Sequence, residues 1–154
     1  MNDLELTPRI VCLEDEDNLR IWRSSSVDAQ YQLSKAGLNP DGHHERFLAR
    51  IAKVDVLPFL AFDADGETVA YVRLEEHGFG KAISVLVSPK HRSRSFGTLA
   101  CQMFLKEYAS FMLKQDIFAV VHRNNQASLS LFKKLGFVVS RLDESEFVEM
   151  RLEV

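Results

Sequence analysis

Apolar residues recur along this chain in two rhythms, one alternating and one near helical spacing, and their order outlines a set of elements. Residues 9–14, Arg-Ile-Val-Cys-Leu-Glu, suit a first strand, ended by the acidic run Glu14-Asp-Glu-Asp17. Asp17 suits the N-cap of a helix carrying Leu19, Ile21 and Trp22. Pro40-Asp-Gly42 breaks the chain, and His43 to Lys53 reads as a second helix with Phe47, Leu48 and Ile51 on one side. Val56 to Phe62 reads as a strand, with Pro58 marking an irregular start or an edge. Asp63-Ala-Asp-Gly66 is a turn signal, and Thr68 to Leu74 is the return strand of a hairpin. His77-Gly-Phe-Gly80 turns the chain again into a third strand of this meander, Ala82 to Ser88.

A long helix is expected from about Ser95 to Leu113, with Phe96, Leu99, Ala100, Met103, Phe104, Phe111 and Met112 on its apolar side. Ile117-Phe-Ala-Val-Val121 is a short apolar run that reads as a buried strand. Gln126 to Leu135 is a helix stopped by Gly136. Phe137-Val-Val139 and Phe147 to Leu152 close the chain as two strands, the second alternating so that one face meets solvent. The order β-α-α-β-β-β-α-β-α-β-β predicts an α/β (α+β) fold, a mixed sheet with helices on both faces. No repeat, linker or domain boundary interrupts it, so residues 1–154 are expected to form a single domain.

Composition narrows the picture. The 154 residues are 46% hydrophobic, enough for one core, and 27% charged with a net charge of −3. That balance argues against disorder and against a general nucleic-acid binder. Cys12 and Cys101 lie far apart without metal-ligand spacing, so both are expected as buried thiols and no metal is expected. The chain opens on acidic and polar residues rather than a signal peptide, and no apolar run approaches the roughly 20 residues that span a bilayer. A cytoplasmic protein with no membrane partner is expected.

The candidate chemistry sits in two segments. Val87-Ser-Pro-Lys-His-Arg-Ser-Arg-Ser-Phe-Gly97 reads as a strand, a basic turn and a helix start. Free N–H groups at a helix N-terminus, beside cationic side chains, suit a phosphate. The second segment is Asn125-Gln-Ala-Ser-Leu-Ser-Leu-Phe-Lys-Lys-Leu-Gly-Phe137. Together these resemble the acetyl-coenzyme A site of the GNAT N-acetyltransferases. The family pattern Arg/Gln-x-x-Gly-x-Gly/Ala is matched by Arg92 and Gly97, with Ser93 and Ser95 where glycines are common. The later pattern, Asn-x-x-Ser/Ala-x-x-Leu-Tyr/Phe-x-Lys-x-Gly-Phe, is matched by Asn125, Ser128, Leu131, Phe132, Lys134, Gly136 and Phe137.

The resemblance implies a GNAT-like, mostly antiparallel central sheet, splayed between the fourth and fifth strands, with acetyl-coenzyme A as co-substrate. It implies that Leu86 and Val87 offer backbone N–H groups to the thioester. Arg92, Ser93, Arg94, Ser95, Phe96, Gly97 and Thr98 would wrap the pyrophosphate, and Asn125, Ser128 and Phe132 would line the pantetheine arm. Asn125 serves equally as an N-cap. Phe132 stands where many members have a tyrosine that protonates the departing thiolate, and phenylalanine donates no proton. The glutamate often found early in the central strand is replaced by Ala82. Glu75 and Glu76, ending the preceding strand, and His122 are the candidates for proton removal, with Glu75 and His122 preferred, through water that Ser84 could orient.

Leu19-Arg-Ile-Trp-Arg23, His44 to Leu48 and Val72-Arg73 resemble a branch acting on nucleotide-linked amino sugars, which implies Trp22, Arg23 and Arg73 as acceptor-binding residues. Trp22 reads as a core anchor or as a stacking surface for a sugar or base. The implied acceptor is a small-molecule amine, with a protein N-terminus, lysine or polyamine as the enzymatic alternative. A non-catalytic acyl-coenzyme A-binding module is a third reading. The oligomeric state is open, and a homodimer is compatible with the sequence.

Overall fold

The structure is a computed structural model that describes residues 5–24, 42–92, 94–108, 116–141 and 145–153. One seven-stranded sheet runs through it in the order β1-β2-β3-β4-β5-β7-β6. Its strands are β1 (Thr7–Ile10), β2 (Phe59–Ala64), β3 (Glu67–His77), β4 (Gly80–Val87), β5 (Ile117–His122), β6 (Phe137–Arg141) and β7 (Phe147–Leu152). The helices are α1 (Glu16–Arg23), α2 (His43–Ile51), α3 (Phe96–Glu107) and α4 (Gln126–Lys134). Every neighbouring pair is antiparallel except β4 and β5, which run parallel. The expected architecture, including its hairpins, is the one found.

Two apolar clusters hold the layers. On one face, α3 and α4 cover the sheet through Phe96, Ala100, Phe104 and Phe132, packed with Phe62, Val72, Leu74, Ile83 and Met150. On the other face, α1 and α2 bring Leu19, Trp22 and Phe47 onto Phe59, Ala61 and Tyr71. Alternation along β3 and β4 decides which residue meets which cluster. Ile83, Val85 and Val87 belong to the α3–α4 side, and Leu86 to the α1–α2 side. Ser84 shares the face of Leu86, and cross-strand pairing adds Arg73 and Glu75.

Several boundaries move, each for a local reason. The first strand ends at Ile10, because the Cys12 N–H turns to the Asp15 carboxylate at 2.9 Å. Helix α1 then starts at Glu16, and the expected cap Asp17 lies inside it. Cys12, expected to be buried, is exposed on that turn, whereas Cys101 is buried and its thiol is pushed up to about 12 by burial. Strand β2 starts only at Phe59, since the Leu57 N–H is held by the Lys53 carbonyl at 2.8 Å. Helix α3 ends at Glu107, and the expected apolar positions Phe111 and Met112 lie outside the described residues.

One junction positions the site. β4 and β5 pair only at Lys81↔Ile117 and Ala82↔Phe118, and beyond that the two parallel strands part. At the closed end the Lys81 N–H reaches the Asp116 carbonyl at 3.0 Å. Gly80 makes that approach possible, because a Cβ there would stand 2.3 Å from the Asp116 oxygen. The sheet is thus pinched at one end of β4 and open at the other.

Candidate active site

The open end of β4 exposes backbone groups, and register says which ones. The Ser88 N–H bonds the Val69 carbonyl at 2.9 Å, and the Leu74 N–H bonds the Pro58 carbonyl at 3.0 Å. Odd-numbered residues of β3 therefore face β4, and their partners, Leu86 with Tyr71 and Ser84 with Arg73, spend their N–H groups in that ladder. Alternation turns the N–H groups of Val85 and Val87 the other way, into the gap left by β5. Of the two residues expected to polarise a thioester, Val87 offers a donor. Leu86 does not, since its N–H turns to β3, while the Val85 N–H turns into the gap beside that of Val87.

Past Val87 the chain makes a short helical turn, Pro89–His91, then Arg92 in extended backbone, then Ser95 in the left-handed region at φ 66°. The glycine-like position read from the sequence is thus a glycine-like conformation, and serine bears it at a cost of roughly 1–2 kcal/mol. Helix α3 begins immediately after. Its first internal bond is from the Leu99 N–H to the Ser95 carbonyl at 3.1 Å, which leaves the N–H groups of Phe96, Gly97 and Thr98 for another acceptor. Ser95 makes no side-chain cap bond to them. Ser93 lies outside the described residues.

The basic residues of this turn divide. Lys90 is ion-paired with Glu67. Arg94 stacks on the Phe96 ring at 5.1 Å and donates to His91 Nδ1 at 3.0 Å, so its guanidinium is held close to the α3 N-terminus. Gly97 sits where α3, β4 and α4 converge. A Cβ there would be 2.9 Å from Leu131 Cδ1 and 3.1 Å from Val87 Cγ2. That convergence sets the start of α3 directly beside Val87, at the open end of β4. Donors in this number beside arginines fit a diphosphate.

Helix α4 lines up beside this site without turning every expected residue to it. The Asn125 side chain accepts the Ser128 N–H at 3.3 Å and so caps the helix. Phe132 is 3% exposed and packs edge-on against Phe137 at 5.2 Å, which makes it a core residue. The expected contact of its ring with a pantetheine arm is not what this burial shows. Trp22 is corrected in the same way. It is 7% exposed and packs on Tyr71 with ring centroids 5.1 Å apart, so it anchors α1 rather than presenting a stacking surface.

The two candidates for proton removal stand on the α1–α2 face. Glu75 Oε1 accepts from Arg50 Nε at 2.6 Å and lies 3.4 Å from Arg73 Nε. Its second oxygen has no protein partner among the described residues, and the side chain is 37% exposed. His122, at the end of β5, accepts the Asn124 N–H on Nδ1 at 3.1 Å and packs edge-on to Phe147. A backbone N–H can only donate, so the neutral ring carries its proton on Nε2. It serves as a base only if that bond breaks.

Around Glu75 the structure gathers Arg73 and Arg23, both singled out in the sequence, with Arg50, which the sequence motifs did not reach. Arg50 donates to Glu75 and to the carbonyls of Leu57 and Leu74, at 2.9 and 2.7 Å. Burial most of all, then Arg73, and also Arg50 and Arg46, push the Arg23 guanidinium below its ordinary value, against the pull of Glu75. Burial does the same to Arg73. A guanidinium stays protonated at physiological pH, so these shifts register crowding. The spacing Arg46…Arg50, four apart on one helix, was the available sequence signal for this cluster.

Among the described residues no three His, Cys, Asp or Glu side chains are grouped to hold a metal, and no helix is long and apolar enough to cross a membrane.

Comparison with known proteins agrees with this geometry. The chain is 25% identical over 135 residues to an N-alpha-acetyltransferase from Sulfurisphaera tokodaii, covering 79% of this chain and 80% of that one. Its fold matches a domain from Methanocaldococcus jannaschii with a TM-score of 0.83, at 18% identity over 99% of this chain and 100% of that one. It also matches the PaiA N-acetyltransferase from Thermoplasma acidophilum, solved in complex with coenzyme A, with a TM-score of 0.72. There the identity is 19%, over 98% of this chain and 100% of that one. The profile of the acetyltransferase (GNAT) family matches residues 17–137. This chain therefore belongs to the acetyltransferase (GNAT) family, whose enzymes take their acetyl group from acetyl-coenzyme A.

Proposed function

We propose that the chain moves an acetyl group from acetyl-coenzyme A to a primary amine by direct attack, in the gap between β4 and β5. The observation that carries this reading is the parting of the two strands after Ala82 and Phe118, which frees the Val85 and Val87 N–H groups. Acetyl-coenzyme A supplies the activated acetyl group. The N–H groups of Phe96, Gly97 and Thr98, with Arg92 and Arg94, hold its diphosphate. Val87 donates to the carbonyl oxygen, where negative charge grows as the amine attacks, and Val85 stands next along the strand.

The amine must be neutral when it attacks. Ser84 orients a water on the acceptor face, and the open oxygen of Glu75 takes the proton through it. The thioester C–S bond then breaks and coenzyme A leaves as its thiolate, which takes a proton from solvent. His122, fixed as the Nε2–H form, is a donor at the opposite wall. Cys101 is no nucleophile, being buried with its thiol pushed up to about 12. The acceptor enters from the α1–α2 side, where Arg23 and Arg73 stand.

The leading acceptor is a nucleotide-linked amino sugar, supported by the partial match around Arg23 and Arg73 and by both arginines sharing the acceptor face. A protein N-terminus is the second reading, favoured by the name of the Sulfurisphaera tokodaii relative. Thiol release from acetyl-coenzyme A, measured with amino-sugar nucleotides, N-terminal peptides and polyamines, separates the two. Release with none of them would overturn the catalytic reading and leave a binding module.

A further inference from the structure

Among the described residues, the acceptor face sets three guanidiniums against one carboxylate. Arg50 on α2 and Arg73 on β3 meet Glu75, and Arg23 at the end of α1 lies within reach of its charge. Their donors are not equally spent. Arg50 uses four of its five, with Nε on Glu75, one on Leu57 O and two on Pro58 O and Leu74 O. It is a tie between α2 and the β2–β3 strands.

Arg73 commits only Nε, toward Ser84 Oγ at 3.4 Å and Glu75 Oε1 at 3.4 Å, with its guanidinium over Phe59 at 5.7 Å. Its two terminal nitrogens have no partner among the described residues. Arg23 is half-buried and has no hydrogen bond or ion pair among them. Half-buried guanidiniums that share one carboxylate already held by Arg50, and are crowded by like charge, are costly unless a further anion joins them.

We propose that Arg23 and Arg73 hold an anionic group of the acceptor, a carboxylate or a phosphate, and so select amines that carry one. This rests on the acetyl-transfer reading and adds to it the charge of the acceptor. The position suits the task. Arg73 pairs across the ladder with Ser84, two residues past the last contact of β4 with β5. Ser84 to Val87 is roughly 10 Å along the strand, so an anion held at Arg73 leaves an amine within reach of the carbonyl site. Planar forks bind carboxylate and phosphate with paired N–H groups, which an ammonium cannot do.

Trp22, the only tryptophan of the chain, precedes Arg23 and reports on it. Wild-type protein is titrated at low salt with inorganic phosphate and, separately, with acetate, following Trp22 fluorescence. A saturable change is expected, at least tenfold weaker in Arg23→Gln and Arg73→Gln variants whose circular dichroism melts show them folded. Arg73→Lys is expected to fall between, keeping charge without the fork. A stronger response to phosphate assigns the phosphate, and a stronger response to acetate the carboxylate. No saturable response to either anion in the wild type overturns the proposal. Kinetics give a second check. Ethanolamine phosphate and β-alanine are compared with ethanolamine, and the better anionic amine should show at least tenfold higher kcat/KM. Equal kcat/KM for all three would overturn anion selection while leaving acetyl transfer intact, whereas anion binding without any thiol release would overturn acetyl transfer alone.

Discussion

Ser95 shows what a single residue carries in this protein. A serine stands where the family pattern prefers glycine, and the backbone there has adopted the glycine-like conformation at φ 66°. Ser95→Gly removes the clash of Cβ with the following carbonyl and is expected to stabilise the fold by about 1 kcal/mol. The gain would read as a rise of a few degrees in Tm. An unchanged or lower Tm would mean that the serine side chain contributes something the backbone does not show. Gly97 works in the opposite direction, through space rather than φ. A methyl group there meets Leu131 and Val87 inside 3.2 Å, so Gly97→Ala is expected to cost about 1–3 kcal/mol and to loosen α3 from β4. Urea midpoints with an unchanged m-value would report it. The motif made both positions legible. For Phe132 and Trp22 the sequence offered both a place in the core and a place at the site, and their burial decides for the core.

At the scale of elements, the N-terminal segment is locked to the sheet by a polar knot. Arg9 holds Asp15 with two bonds of 2.8 Å and reaches Asp63 at 2.9 Å, while the Tyr71 hydroxyl donates to Asp15 at 2.6 Å. Burial pushes the Asp15 carboxyl up, yet Arg9, the Cys12 N–H and Tyr71 together outweigh it and hold it at about 2. Its folded value is below the unfolded one. The stability it contributes is therefore complete above about pH 4 and is lost as pH falls from there toward 2. An acid titration of the melting temperature should show that loss, and Asp15→Ala should remove the step and cost about 3 kcal/mol at neutral pH. A wild-type acid profile retained in the variant would contradict the assignment. The knot was hidden in the sequence because its members, Arg9, Asp15, Asp63 and Tyr71, meet only once three strands and a turn are assembled. The hairpins between β2, β3 and β4 were legible, since Asp-Gly and Gly-Phe-Gly act over a few residues.

Across the whole molecule, one sheet makes two different faces meet at one gap. The α3–α4 side brings the free N–H groups at the start of α3, and the α1–α2 side brings arginines and Glu75; on the proposed function the first hold the diphosphate and the second meet the acceptor. Element order was enough to anticipate a mixed sheet, because a crossover helix follows the meander. Register was not. That Val87 faces the gap and Leu86 faces β3 follows from bonds such as Ser88 N–H to Val69 O, which no periodicity reveals. The proton route is tested at this scale too. Glu75→Gln keeps the shape of the acceptor face and should lower kcat by about a hundredfold at pH 7, with little change in the KM for acetyl-coenzyme A. An unaltered kcat would remove Glu75 from the proton path.

Residue-resolved amide hydrogen exchange, with and without acetyl-coenzyme A, tests the central geometry most directly. Coenzyme A should slow exchange at Phe96, Gly97 and Thr98, and the acetylated form should add Val87. Leu86 and Ser88, already bonded to β3, should hold their slow rates in every state. Protection that appears elsewhere, with Val87 and the start of α3 unchanged, would contradict the site described for this chain.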